Sequence, residues 1–190
     1  MTETTVWKAV AIAAPTIAFI VVALFAISFV VSTLLGLPPS LGPPLAVQVL
    51  GGAMVATGLA IAGWVFRYRS PADMVVSTCI TFMKLFRRAP ITEFSGRTEL
   101  LVVSGPQRYV RNPLYLGVIV MVFGWALVGG TTYVLLAAIV ILLWFWLILI
   151  PFEERELRAL FGDQYARYME SVPMLIPFTK RARRSEHDQG

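Results

Sequence analysis

The sequence predicts an all-α fold: a polytopic transmembrane bundle of about four spans, with a C-terminal helical hairpin and interfacial helices. Composition points there first, because 57% of the 190 residues are hydrophobic and only 14% are charged. The mean hydropathy of +0.74 agrees and lies outside the range of soluble domains. Charge distribution is the second observation: no charged residue occurs from Ala9 to Phe66, and none from Asn112 to Phe152. Backbone polar groups in such stretches have to be satisfied inside helices that cross lipid. Residues 1–190 are therefore expected to form a single membrane domain.

Residues 9–66 hold two N-terminal spans. The first, Ala9 to Leu35, tolerates Pro15 near its start and ends at "GLPPSLGPP", whose prolines and glycines cannot continue a helix. The second, Leu45 to Phe66, carries Gly52, Ala56, Ala60 and Gly63 at helical spacing, a small-residue face that lets a neighbouring helix approach closely. Residues 67–111 form a polar connection. Within it, Ala72 to Phe86 is apolar but short for a crossing, so an interfacial or re-entrant helix is expected, followed by a short extended piece at Glu99 to Val103. The third span, Leu114 to Val128, and the fourth, Tyr133 to Phe152, are joined by "GGTT" into a membrane hairpin. The third is short for a full crossing. Residues 112–177 combine this hairpin with an amphipathic segment on which Leu157, Leu160, Phe161, Tyr165, Tyr168 and Val172 keep near-helical spacing, interrupted around Gly162 and Asp163. Residues 178–190 are a basic polar tail.

Positive residues set the orientation. Lys8 precedes the first span, eight basic residues lie between the second and third, and seven follow the fourth. The other two connections have none, so both termini and the basic connection are expected in the cytosol. The N-terminal apolar run is too long for a cleaved signal peptide and is expected to stay attached.

Several function classes are excluded by inventory. Cys79 is the only cysteine, so neither an internal disulfide nor a two-cysteine redox relay is available. His187, the only histidine, sits in the polar tail, which argues against a histidine-based metal site or base; no metal is expected. The pI of 9.7 follows the topology, and no nucleic-acid motif accompanies it.

Two clusters remain. "GPQRYVRNPLYLG", Gly105 to Gly117, opens the third span, and Glu153 and Glu154 follow the fourth. Antiparallel helices return both to one membrane surface. The glutamates are expected at a helix C-terminus, where the dipole disfavours negative charge and a cation such as Arg111 or Arg155 compensates.

"SGPQRYVRNPLYLG", a charge-free hairpin and "EERELRALFGDQYARYMESVPMLIP", in that order, resemble the membrane methyltransferase family that contains isoprenylcysteine carboxyl methyltransferases and phospholipid N-methyltransferases. The resemblance covers about Glu99 to Pro177. It implies an S-adenosylmethionine-dependent enzyme whose cofactor is held at the cytosolic mouth of the bundle. It also implies a lipid or lipidated acceptor, and the layout of the spans adds the expectation that an apolar tail reaches the site laterally from the bilayer. The family's Arg-His-Pro-x-Tyr element falls on Arg111, Asn112, Pro113, Leu114 and Tyr115, and its paired glutamates on Glu153 and Glu154. Asn112 departs from the histidine but matches bacterial-looking relatives, which implies a prokaryotic cytoplasmic membrane. Gln107 replaces a common tyrosine.

On this reading Arg108, Tyr109, Arg111, Asn112, Pro113, Tyr115, Glu153 and Glu154 bind the cofactor, and Arg111 and Glu153 carry the catalytic expectation. The glutamates suit its ammonium or ribose hydroxyls, Arg111 or Arg108 its carboxylate, and Tyr115 or Tyr109 its adenine or sulfonium. Isoprenylcysteine-type carboxyl O-methylation is the first expectation, and phospholipid amine N-methylation the second. A non-enzymatic membrane scaffold or transporter subunit is the contrasting class; spans whose obvious polar groups are only Ser, Thr and Gln48 suit transport poorly.

Overall fold

The computed structural model describes residues 3–70, 74, 81, 101, 103–177 and 179. Helix α1 spans Glu3–Leu34 and accommodates Pro15; α2 spans Leu45–Phe66. A 3-10 turn at Gly105–Arg108 leads into α3, Pro113–Gly129, and then α4, Thr132–Trp144. A π-helical turn, Phe145–Leu149, joins α4 to α5, Ile150–Ser171. Among the described residues extended pairing is limited to the bridge between Ser40 and Thr131. The chain is an all-α membrane helical bundle. Among the described residues three helical runs are long and apolar enough to cross a membrane: Pro15–Leu34, Leu45–Phe66 and Thr132–Ser171. Helix α3, with 17 residues, is shorter, at about 25 Å by the α-helical rise.

The helices pack in the order α1, α4, α3, α2, with α2 against α3 the most extensive contact. The α1–α2 connection therefore crosses the turn between α3 and α4. Leu41 N donates to Gly130 O at 2.7 Å, Thr132 N donates to Pro39 O at 3.4 Å, and the Thr132 hydroxyl donates to Pro38 O. At the same end Phe29 of α1 meets Tyr133 of α4 edge to face, with ring centroids 5.7 Å apart.

The face that α2 buries differs from the expected one. Gly52 and Gly63 have nothing within 4 Å of a would-be Cβ, whereas a Cβ at Gly58 would lie 2.6 Å from the Gly117 carbonyl, and one at Gly51 2.7 Å from the Gly124 carbonyl. The two glycines of α2 thus meet those of α3 in antiparallel register, backbone against backbone. Gly58→Leu is expected to cost about 3 kcal/mol through overpacking at this crossing, whereas the exposed Gly52→Leu stays near neutral. Thermal unfolding of the two variants in detergent checks this pair of outcomes.

The final helix also departs from the expected break after Phe152. It runs on past Glu153 and Glu154, which therefore do not terminate a helix. The reason lies at Pro151, which has no N–H to give. Ile150 N donates to Phe145 O, closing a wider turn just ahead of the proline, so the helix continues through it. The break falls instead at Gly162, where φ 53° and ψ −129° suit glycine alone, close to the expected interruption. Beyond Ser171 the chain folds back, and Leu175 joins Ile119 and Ile150 in a buried cluster. The interfacial helix expected over 72–86, the extended piece over 99–103 and the tail over 178–190 lie outside the described residues, apart from Met74, Thr81, Leu101, Val103 and Thr179.

Candidate active site

The two sequence clusters meet where α3 begins and α5 leaves the apolar layer. Pro113 occupies the first turn of α3, where its fixed φ suits helix initiation and no N–H is needed. Arg111 and Asn112 therefore sit just outside the helix, with backbone and side chains both available.

Four of the five guanidinium N–H donors of Arg111 are engaged. Its Nε donates to Glu154 Oε1 at 2.7 Å and its Nη2 to Glu154 Oε2 at 3.0 Å, a bidentate pair whose side chains are 6% and 8% exposed. Its Nη1 donates to the carbonyls of Met169 at 2.9 Å and Val172 at 2.7 Å, satisfying the C-terminal end of α5. Asn112 Nδ2 adds a bond to Glu154 Oε1 at 3.1 Å. The backbone completes the clasp: Arg111 N donates to Pro173 O at 2.9 Å and Asn112 N to Met174 O at 3.2 Å. These bonds hold the returning segment so that Leu175 reaches its place against Ile119 and Ile150.

Glu153 has a different environment. Adjacent residues on a helix point about 100° apart, so Glu153 misses Arg111 and instead accepts from the Tyr115 hydroxyl, at 2.8 Å to Oε2. The Tyr115 ring lies 4.9 Å from Phe145, centroid to centroid, giving this pair one polar and one apolar side. Glu153 is partly exposed where Glu154 is buried.

Of the residues expected in the site, the structure brings together Arg111, Asn112, Pro113, Tyr115, Glu153 and Glu154. Arg108 and Tyr109 stand apart: Arg108 is exposed, and the half-exposed Tyr109 ring lies 5.8 Å from Trp64 on α2. Arg111, expected to meet a cofactor carboxylate, already holds Glu154 and two carbonyls. Three further side chains enter. Tyr168, expected on an amphipathic face, donates its hydroxyl to Gln107 O at 2.7 Å, and its ring lies 5.7 Å from the fully buried Tyr165. Gln107 itself is buried, and its Oε1 has no hydrogen-bond partner among the described residues. Glu156 is buried too, one helical turn beyond Glu153; the third glutamate of "EERE" was the available signal.

A phospholipid methyltransferase family model matches residues 48–164, from within α2 to the bend in α5. A methanethiol S-methyltransferase of Mycobacterium tuberculosis is 34% identical over 140 residues, 64% of this chain and 50% of that protein. One from Pseudomonas deceptionensis is 32% identical over 143 residues, covering 68% and 48%. A protein-S-isoprenylcysteine O-methyltransferase of Schizosaccharomyces pombe is 35% identical over 82 residues, covering 43% and 35%. The matched stretch thus spans half or less of these relatives' own length. No solved structure matches significantly.

Proposed function

Because the chain belongs to the phospholipid methyltransferase family, whose model spans the hairpin and both glutamates, we propose that it is a membrane-embedded, S-adenosylmethionine-dependent methyltransferase. The single observation that carries the site assignment is the division of labour between neighbouring glutamates. Glu154 is neutralised by Arg111 and buried, whereas Glu153 is partly exposed and bonded to a neutral phenol.

The residues fit such a cofactor. A partly exposed carboxylate, with its several acceptor positions, suits the ligand's ammonium or ribose hydroxyls, and Glu153 is such a group. Buried Gln107 adds an orphaned amide oxygen. When bound, the cofactor supplies a methyl group already activated on a sulfonium, and no covalent nucleophile from the protein is required. What the protein contributes is alignment and exclusion of water. Tyr115 fixes the Glu153 carboxylate, Phe145 and Tyr115 present the apolar side, and the Arg111–Glu154 clasp positions both by tying α5 to the start of α3. Arg111 is therefore a positioning residue, and Glu153 is the group that touches the cofactor.

This inventory favours a thiol acceptor. A carboxylate acceptor calls for a guanidinium to hold it, and four of the five N–H donors of Arg111 are already engaged. An amine acceptor has to lose its proton to a base, while Glu154 is paired and Glu153 serves the cofactor. A thiol passes its proton to water, and the small thiolate fraction is intrinsically very nucleophilic, so it asks least of these residues. The names of the mycobacterial and pseudomonad relatives agree. An apolar thiol reaches the site from the bilayer, past Phe145, while the cofactor enters from the cytosolic side. The second reading, carboxyl methylation of a prenylated cysteine, rests on the fission-yeast relative and on a similarly named protein of Arabidopsis thaliana. Transfer of labelled methyl from S-adenosylmethionine to methanethiol, against a farnesylated cysteine, in lipid nanodiscs separates the two. The thiol is expected to be methylated; transfer to the farnesylated cysteine alone moves the assignment to the second reading.

A further inference from the structure

We infer that the Phe145 ring limits the acceptor to a short alkyl chain, an inference that deepens the thiol reading above and rests on it. Phe145 opens the π-helical turn Phe145–Leu149. The residues that follow it, Trp146, Leu147 and Ile148, are exposed on a helical run apolar enough to cross a membrane, so they face the bilayer. Phe145 turns the other way. Its ring lies 4.9 Å from that of Tyr115, centroid to centroid, with the planes tilted by 57°, and the Tyr115 hydroxyl donates to Glu153. Among the described residues, the Phe145 ring thus stands between the lipid-facing arc and the pair that serves the cofactor.

Packing and backbone both hold the ring in place. The buried cluster of Ile119, Ile150 and Leu175 packs against it, and Leu142, a turn earlier on α4, packs against the same cluster. Ile150 N donates to Phe145 O across the wide turn. Pro151, with no N–H, cannot restore an ordinary α-helical bond to the Leu147 carbonyl, so the wide turn stays where it is.

These constraints select the acceptor by length. In methyl transfer the thiolate sulfur bonds the methyl carbon as the carbon–sulfonium bond breaks; the electron pair of that bond stays on the departing sulfur, and the thiol proton has gone to water. The acceptor sulfur therefore points toward the cofactor and its chain trails toward the bilayer. A chain of one carbon ends short of the Phe145 ring. A longer chain has to lie in the volume that the ring occupies, and a close-packed interior yields such volume only by repacking. A prenyl chain meets the same obstacle. Partitioning pulls in the opposite direction: each added methylene concentrates a thiol in the membrane, so a site without this limit would favour longer chains.

The test is a chain-length profile. Methyl transfer from S-adenosylmethionine to methanethiol, butanethiol and octanethiol is measured in nanodiscs on the full chain as wild type, Phe145→Ala and Phe145→Leu, with KM and kcat read separately. Wild type is expected to lose about tenfold or more in kcat/KM between methanethiol and octanethiol. The alanine variant is expected to recover most of that loss, the leucine variant part of it, and both to keep the wild-type KM for S-adenosylmethionine. Should alanine prevent folding, leucine is read by the same ratio. A wild-type profile that is flat or rises with length overturns the inference without any variant. A folded variant that keeps the wild-type ratio, even at lower activity, overturns it too. Wild type that methylates farnesylated cysteine and none of the thiols overturns the thiol reading itself, and this inference with it.

Discussion

Glu154→Ala is expected to cost the fold about 3–5 kcal/mol, the scale for removing one partner of a buried ion pair. The Arg111 guanidinium would remain at 6% exposure with only carbonyl partners, and the bond from Asn112 would be lost as well. Release of the segment after Ser171 follows, because Arg111 and Asn112 hold it and it places Leu175 in the core. Unfolding in nanodiscs followed by tryptophan fluorescence measures the loss. Replacing both charges, Arg111→Met with Glu154→Leu, should recover part of it, since neither ion is then left buried alone. An unchanged midpoint for Glu154→Ala would mean that the pair is solvated and contributes little.

Glu153→Gln is expected to do the reverse. Its stability should stay within about 0.5 kcal/mol of wild type, as for a partly exposed side chain whose neighbour Tyr115 keeps an acceptor. Its apparent KM for S-adenosylmethionine should rise by roughly 10- to 100-fold, the scale of one hydrogen bond to a charged group. Steady-state methyl transfer with the cofactor varied reads this directly. A fall in kcat at unchanged KM would instead assign Glu153 to the chemical step.

Much of this arrangement is legible in the sequence, for identifiable reasons. Uncharged stretches fix the spans, and a short turn between two of them forces antiparallel packing. Asn112 consequently meets the glutamate pair, at 3.1 Å from Glu154. Other features depend on phase. Helix α2 is apolar all round, so hydrophobic periodicity gives it no direction, and both Gly52–Gly63 and Gly51–Gly58 read as small-residue stripes. Only the partner's Gly117 and Gly124 choose between them. The two glutamates pose the same problem more sharply. Which of them faces Arg111 depends on helix phase, and the π-helical turn before Pro151 inserts an extra residue that rotates everything after it by about 100°. Gln107 is hidden for another reason: a polar residue in a polar stretch gives no sign that three aromatic residues, Tyr68, Tyr168 and, beyond it, Tyr165, will close around its turn.

The most direct test of the account is calorimetric titration of S-adenosylhomocysteine into wild type and Glu153→Gln in lipid nanodiscs, with unfolding midpoints recorded on the same samples. Saturable one-site binding to wild type, weakened about tenfold or more in a variant that unfolds at the same temperature, is the predicted result. Equal affinity in the two proteins, or no binding to a folded wild type, would contradict it.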